Sequence, residues 1–255
     1  MKKGHIIIIL LFIFSFLNHT FSQRLIPFRK GDKWGYSNQK KEVIVEPIFD
    51  LAYPLQEGMG LVVIDKMYGY IDSTGKLITD VKYNVAYMFK DGLAIVGREF
   101  EEEKINTSGI RYRTLETRYG FIDKKGREII PLIYGDVYNF QENGLALVGK
   151  GKYMKNKEGK DYFDGKWGYI NKKGEVVIPI KYYKLGIFKE GLAYAQISSN
   201  IGYINEKDEV VIPFKYDDVD VNGFNNGLTT VSRDDKWFYI DKKGNEFYEE
   251  EGGNQ

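Results

Sequence analysis

The residues that most often carry out chemistry in proteins are nearly absent from this chain. It has no cysteine, and its two histidines, His5 and His19, lie near the amino terminus. Without that segment the chain cannot build a Ser-His-Asp triad, a thiol nucleophile, a disulfide or a histidine/cysteine zinc site. Its glycines sit in hairpins rather than before a helix, so it has no nucleotide-binding fingerprint. We expect no organic cofactor.

Carboxylates remain as candidates for catalysis, since a glycosidase requires only two Asp or Glu side chains. Asp72, Asp123 and Asp241 recur at one turn position, where other copies of a repeated segment have asparagine. Asp and Asn both accept backbone N–H bonds in turns, which explains the recurrence without catalysis. We therefore expect a protein that is not an enzyme, with a carboxylate-dependent polysaccharide hydrolase as the alternative.

One short stretch has the spacing of a metal site. In DVDVNG, residues 218–223, Asp218, Asp220 and Asn222 stand at alternate positions before a glycine, like the opening of an EF-hand calcium loop. The position of the closing bidentate glutamate is Thr229, and no flanking helices are expected. Calcium binding at these three residues and a lengthened polar loop both fit the sequence.

The amino-terminal segment has the pattern of a secretory signal. Lys2 and Lys3 precede an apolar run that ends at Leu17, and Thr20 and Ser22 suit a cleavage site after residue 22. The run is shorter than the roughly 20 apolar residues that cross a bilayer. We predict that residues 1–22 are removed, that the protein is periplasmic or secreted, and that it is not stably inserted in a membrane.

The charge is almost balanced, with 37 Lys+Arg against 36 Asp+Glu. Loss of Lys2 and Lys3 would change the formal net charge from +1 to −1. Such a chain has no basic field to attract a polyanion, so we expect no nucleic-acid partner.

The elements that must position any site are tandem repeats. Equivalent positions hold a glycine after an aromatic or aliphatic residue in five copies and phenylalanine in the sixth: Gly35, Gly69, Gly120, Gly168, Gly202 and Phe238. Insertions near 99–117 and 151–165 interrupt the spacing. The first insertion starts acidic and becomes basic after Ser108-Gly109, which predicts a protruding hairpin. Insertions in repeat proteins often map to a binding face.

Each repeat is predicted to form three antiparallel strands, as in GLAYA, WGYIN and EVVIP. The Asn-Lys-Lys-Gly stretch predicts a type I turn with glycine in the left-handed position. Lys41 fills that position in the first copy, so we expect a different turn there. Gly168, inside the second strand, indicates a bulge or a close backbone approach. We expect an aromatic ring from a neighbouring strand to lie over this glycine.

The phrases KWGYINKKGEVVIPIKY, RYGFIDKKGREIIPLIY and KWFYIDKKGNEFY resemble the WG-repeat family of bacterial proteins, also called KWG repeats. The resemblance covers residues from about Arg24 to Phe247. It implies a β-rich repeat protein and carries no shared activity or site. The first copy departs from the pattern because it lacks the turn glycine, and the sixth because Phe238 replaces the strand glycine.

The predicted fold class is all-β, with about six three-stranded antiparallel meanders over residues 23–248. One unit cannot bury both of its faces, so the units must stack, either as an open superhelical array or as a propeller-like ring. Residues 249–255 are predicted to be a flexible acidic tail.

The functional hypothesis is an exported, non-enzymatic module that binds a protein or a glycan. Tyr112, Tyr153 and Tyr162 lie outside the repeat register and are the candidate contact residues. Trp34, Trp167 and Trp237 share one repeat position, which favours core packing over sugar stacking. A structural component of the cell envelope is a further alternative.

Overall fold

The structure is a computed structural model that describes residues 24–105 and 107–248. The predicted signal peptide, residues 1–22, and the predicted acidic tail, residues 249–255, lie outside the described residues. In the described part, every regular element is a β-strand, as expected from alternating apolar residues separated by glycine-containing turns.

The strands are β1 (Ile26–Lys30), β2 (Lys33–Ser37), β3 (Val43–Phe49), β4 (Leu51–Ala52), β5 (Gly60–Ile64), β6 (Met67–Ile71), β7 (Val85–Ala86), β8 (Leu93–Ile105), β9 (Arg111–Asp123), β10 (Glu128–Tyr134), β11 (Asp136–Val137), β12 (Leu145–Lys155), β13 (Asp161–Asn171), β14 (Val176–Tyr182), β15 (Lys184–Leu185), β16 (Leu192–Gln196), β17 (Ile201–Asn205), β18 (Val210–Tyr216), β19 (Asp218–Val219), β20 (Leu228–Arg233), β21 (Lys236–Asp241) and β22 (Glu246–Phe247).

These strands form six small antiparallel sheets, one for each repeat, and strands that follow one another in the chain are neighbours in each sheet. The sheets are β1–β3, β4–β6, β7–β10, β11–β14, β15–β18 and β19–β22. The predicted meanders are confirmed, except that the third strand of the second sheet is reduced to isolated bridges, Ile71 with Leu77 and Tyr68 with Tyr83. The structure adds a two-residue strand at the outer edge of every sheet from the second onward.

The turn that follows the second strand is the same in all six sheets. An Asn or Asp side chain accepts backbone N–H bonds from the residues two and four positions on, at Asn38, Asp72, Asp123, Asn171, Asn205 and Asp241. The structural explanation of the recurring aspartates is therefore confirmed. The expected exception at Lys41 was wrong, because Lys41 has a φ of 65° and its N–H bonds to Asn38 O at 3.0 Å, as Gly75 does to Asp72.

The strand glycine is explained by a backbone contact, not by an aromatic ring. A Cβ on Gly168 would lie 2.5 Å from the carbonyl oxygen of Ile178 and 2.8 Å from the backbone of Ile180. The pairing of β13 with β14 shifts at this point, because Tyr169 pairs with Ile178 whereas Trp167 pairs with Tyr182. The third strand therefore bulges across the glycine. The bulge prediction is confirmed, and the expected aromatic cover of Gly168 was wrong.

The hydrophobic core lies between successive sheets rather than within one. Five clusters of buried side chains each join one sheet to the next, from the first pair of sheets to the last. Within the described residues no cluster joins the first sheet to the sixth. This linear succession corresponds to an open array rather than a closed ring.

A buried tyrosine of the second strand ties several sheets to the sheet that follows. Its hydroxyl donates to a main-chain carbonyl 17 residues later: Tyr36 to Tyr53 at 2.7 Å, Tyr70 to Tyr87 at 2.6 Å and Tyr169 to Gly186 at 2.6 Å. Each acceptor directly follows the short outer strand of the next sheet. Stacking thus combines apolar burial with a directional bond at the same position of the repeat.

Candidate functional site

The two insertions form long β-ribbons. In the fifth sheet the first two full strands have 5 residues each. The matching strands have 13 residues in the third sheet and 11 in the fourth. We call the extension at 99–117 ribbon A and the extension at 151–165 ribbon B; Asn106 is not among the described residues. The predicted hairpin of the first insertion is confirmed.

The charge pattern of the sequence explains ribbon A. Its acidic strand pairs with its basic strand, so that Glu101 contacts Arg113 at 3.0 Å and Glu103 contacts Arg111 at 3.3 Å. These pairs are exposed and each contributes at most about 1 kcal/mol. They therefore set the register of the ribbon more than they stabilise it.

Ribbon B ends in the repeat's own turn. Asn156 Oδ1 accepts N–H bonds from Glu158 at 3.0 Å and Lys160 at 2.9 Å, and Gly159 has a φ of 79°. The sequence NKEG thus has the structure of the NKKG turn in the repeat. This similarity was available in the sequence and was missed.

A cleft of about 440 Å³ lies between the two ribbons. It is lined by Lys104, Tyr112, Thr114, Leu115, Glu116, Thr117, Tyr119, Gly135, Lys152, Tyr153 and Met154. Consecutive side chains of a strand point to opposite faces. A cleft that contacts 114–117 and 152–154 in succession therefore runs along the edges of β9 and β12. No other strand of the described chain pairs with these edges, so the main-chain groups on these edges have no strand partner.

Charged side chains join the two ribbons at the cleft. Glu116 forms an ion pair with Lys104 on its own ribbon and lies 3.7 Å from Lys152 Nζ of ribbon B. Arg118 contacts Glu116 at 2.9 Å and donates to Gly151 O at 3.4 Å. Burial opposes ionisation of Glu116, but the three cations outweigh it and hold its pKa below the ordinary value. The carboxylate is thus a fixed anion among positive charges.

The base of ribbon B is an aromatic stack on glycine. The Phe163 ring lies 4.5 Å from that of Trp167 and 5.3 Å from that of Tyr153. A Cβ on Gly149 or Gly165 would come within 2.7 Å of the Phe163 ring. The expected packing of an aromatic ring on a glycine backbone thus occurs here, at positions other than the one predicted.

Tyr153 is held at the cleft by its hydroxyl, which donates to Asp136 Oδ2 at 2.5 Å. Burial, and then this bond, raise the pKa of Tyr153 well above its ordinary value, so the hydroxyl remains a donor. About half of the side chain is exposed, which leaves the ring accessible to a partner.

The structure brings together two of the three predicted contact tyrosines. Tyr112 and Tyr153 line the cleft from opposite ribbons. Tyr162 lies opposite Met154 in ribbon B and does not line the cleft. Lys104, Glu116 and Lys152 could not be identified from the sequence, because the contacts among them join ribbons that are separate in the chain.

Another cleft residue has an unusual environment. Thr114 Oγ1 is buried and has no hydrogen-bond partner in the structure. A buried hydroxyl without a partner is costly. Its position in the cleft makes it a candidate donor or acceptor for a bound group.

The predicted calcium residues lie far from the ribbons in the sequence, at the start of the sixth sheet. Asp218 is in β19 and accepts a bond from Val219 N at 3.0 Å, as Asp136 does from Val137 at the same repeat position. Asp220 Oδ1 accepts bonds from the backbone and side-chain nitrogens of Asn222 at 2.9 and 2.8 Å. Over residues 24–105 and 107–248, no group of three or more His, Cys, Asp or Glu is arranged to hold a metal. A calcium site at Asp218, Asp220 and Asn222 stays a prediction.

The shared tryptophan position has two environments. Trp167 is buried and Trp34 packs partly against the first core cluster, which confirms core packing for both. Trp237 is exposed, so the prediction was wrong there, because no sheet follows the sixth in the described chain.

The described residues, 24–105 and 107–248, contain no helix of the length and apolar character needed to cross a bilayer.

Comparison with known families and proteins gave one positive result. A family described as the WG containing repeat matches the chain at residues 34–68, 68–97, 119–153, 167–199 and 201–237. The two long gaps between matched segments, 98–118 and 154–166, fall in the ribbons, so ribbon A and most of ribbon B lie outside the matched pattern. No curated protein matched the chain.

Proposed function

The chain belongs to the WG containing repeat family, and we propose that it is a non-enzymatic module that binds a protein or glycan partner in the cleft between ribbons A and B. The observation that carries the proposal is that this cleft is built largely by the segments that depart from the repeat. A repeat unit needs no ribbon to stack, because the fifth sheet packs on both neighbours without one.

The cleft offers three kinds of contact to a partner. Tyr112 and Tyr153 present aromatic rings, which stack on sugars or cover apolar side chains. The residues that line the cleft carry two positive charges, on Lys104 and Lys152, and one negative charge, on Glu116. The excess positive charge attracts an acidic group. The unpaired edges of β9 and β12 supply main-chain donors and acceptors for an extended ligand.

The charge on Glu116 argues against a role as the acid of a glycosidase. A glycosidase acid requires a raised pKa so that it carries a proton at neutral pH. The neighbouring cations lower the pKa of Glu116 instead, which suits an anchor for lysine side chains. Export remains part of the proposal, on the strength of the signal-like residues 1–22, and a structural role in the envelope remains its alternative.

The proposal is tested by removing each ribbon without disturbing the stack. Residues 99–117, or in a second variant 151–165, are replaced by Ile-Ser-Ser-Asn, the natural link between β16 and β17. The wild type and both variants are screened against glycans and cell-envelope extracts by retention and by product analysis. We expect saturable retention by the wild type, loss of retention in both variants, and unchanged circular dichroism.

Point variants give a matched control. Tyr153→Ala and Tyr112→Ala should weaken retention, whereas Tyr162→Ala, on the same kind of ribbon but outside the cleft, should not. Normal retention by both ribbon-replacement variants would refute the cleft as the binding site. Turnover of a glycan would show an enzyme and refute the non-enzymatic proposal.

A further inference from the structure

The edges of the stacked sheets are poorly suited to pairing with another chain. The third strand, which forms one edge, contains a proline in four sheets, at Pro47, Pro131, Pro179 and Pro213, and proline has no N–H to donate. The outer strand at the other edge has only two residues in five of the sheets. Prolines and very short strands are features that keep a sheet edge from pairing with further strands.

Ribbon A has a strand edge without these features. Beyond Tyr119, which pairs with Tyr134 of β10, no strand of the described chain pairs with residues 111–117 on the side away from β8. These residues include no proline, and the register of β9 with β8 is uninterrupted from Leu93 to Ile105. We call the unpaired side of residues 111–117 the free edge.

The hydrogen bonds of ribbon A show which main-chain groups lie on the free edge. Opposite residues of an antiparallel pair alternate between those that bond to each other and those whose N–H and C=O point outward. Glu99 N donates to the side chain of Asn84, which lies outside the ribbon, so Glu99 points outward from β8. Its opposite residue, Thr117, therefore points outward on the free edge, and Leu115, two residues away, does the same.

The edge of ribbon B across the cleft is already occupied in part. Gly151 O accepts a bond from Arg118 at 3.4 Å, and the Tyr153 hydroxyl is bonded to Asp136. Leu115, by contrast, is 64% exposed. The free edge is therefore the wall of the cleft that is open to an added strand.

We propose that the free edge binds an extended segment of a partner protein, which adds a strand to the third sheet. This inference rests on the proposed function and identifies the partner as a peptide rather than a glycan. Main-chain bonds to Thr117 and Leu115 supply the affinity of such a contact, and side chains in the cleft supply its specificity. Because Lys104 and Lys152 outnumber Glu116 in the cleft, the segment should carry an acidic side chain.

A phage-displayed library of random linear peptides, selected on the purified protein, provides the probe. The selected peptide is synthesised, and its affinity is measured by fluorescence anisotropy. We expect saturable binding that weakens at least about tenfold when alternate peptide nitrogens are methylated, because the N–H groups that pair with the free edge are lost. Methylation of the intervening nitrogens, which point away from the edge, should have no such effect.

Proline substitutions give a matched pair of protein variants. Leu115→Pro removes an outward N–H on the free edge without removing a bond to β8, and should weaken peptide binding at least about tenfold. Glu101→Pro removes the outward N–H of the directly opposite residue, on the other edge of the ribbon, and should leave binding unchanged. Circular dichroism and thermal melting check that both variants fold, and the methylated peptides decide the question on the unaltered protein.

Several results would overturn the proposal. These are a library without a saturable peptide, binding that is insensitive to peptide methylation, and equal losses in the two proline variants. Self-association of the protein that Leu115→Pro abolishes would make a second copy of the chain the occupant instead. Retention of glycans alone, lost on ribbon replacement, would overturn the peptide as partner and leave the cleft as the binding site. Normal retention by the ribbon-replacement variants would refute the proposed function itself, so the two failures are distinguishable.

Discussion

The hydroxyl of the stacking tyrosine allows one link between sheets to be removed without changing the core. In Tyr70→Phe the ring remains, along with its edge contact to Phe89 at a centroid distance of 5.1 Å. What is lost is the 2.6 Å bond from the hydroxyl to Tyr87 O. Burial raises the pKa of Tyr70 far above its ordinary value, so this group donates at every accessible pH.

The loss has two components. A hydrogen bond of this kind contributes about 0.5–1.5 kcal/mol net, and leaving a buried acceptor without a partner costs about 1–3 kcal/mol. The acceptor here is only partly buried, so we expect the free energy of unfolding to fall by about 1–2 kcal/mol. With a urea dependence of about 2–3 kcal/mol per M, the unfolding midpoint should fall by roughly 0.3–1 M.

The chain contains a matched control for this experiment. Tyr239 occupies the same repeat position, but its side chain is about half exposed, so water can replace any partner. Tyr239→Phe should change the free energy of unfolding by less than about 0.5 kcal/mol. Equal effects of the two substitutions, or no effect of Tyr70→Phe, would refute the role of the hydroxyl bond in stacking.

Three further predictions concern other parts of the chain. Gly168→Ala should destabilise the protein by about 1–3 kcal/mol or more, because its Cβ meets the backbone of β14; a wild-type urea midpoint would contradict the bulge contact. The pKa of Glu246 is lowered by Arg233 and Lys215, despite the opposing effect of burial, so its stabilising effect is present above about pH 5 and declines as the pH falls through its folded-state pKa. Melting temperatures of wild type and Glu246→Gln should therefore differ most near neutral pH and converge in acid, and a constant difference would exclude this linkage. A calcium site at Asp218, Asp220 and Asn222 requires that calcium raise the melting temperature and that Asp220→Ala abolish the rise; no rise in the wild type would rule out the site.

The parts of the fold that could be predicted from the sequence are those set by neighbours in the chain. The turn at Asn171 depends on its own oxygen and on N–H groups two and four residues away. Every copy with an Asn or Asp side-chain oxygen at this position forms the same turn. In the first copy the oxygen is that of Asn38, and Lys41 adopts the positive φ of the glycine that other copies have at its position. Local hydrogen bonds thus outweighed the unfavourable φ of one residue.

The parts that could not be predicted depend on contacts between distant segments. The contact at Gly168 follows from the extra residues in the third strand, and periodicity does not say which strand bulges. The charged residues of the cleft meet because ribbon B lies beside ribbon A, as the bond from Arg118 to Gly151 shows. The strand pairing within one hairpin does not predict how that hairpin packs against another.

The phenylalanine in the glycine position of the sixth sheet follows from the short last strand. In inner sheets the third strand bulges over the glycine, whereas β22 pairs directly with β21, with Phe247 opposite Tyr239. A side chain is therefore tolerated in the glycine position, and Phe238 fills it, packing 4.5 Å from the ring of Tyr248 and 6.1 Å from that of Tyr216. Phe238 thus strengthens the contact of the sixth sheet with the fifth, which secures a sheet that has a neighbour on one side only.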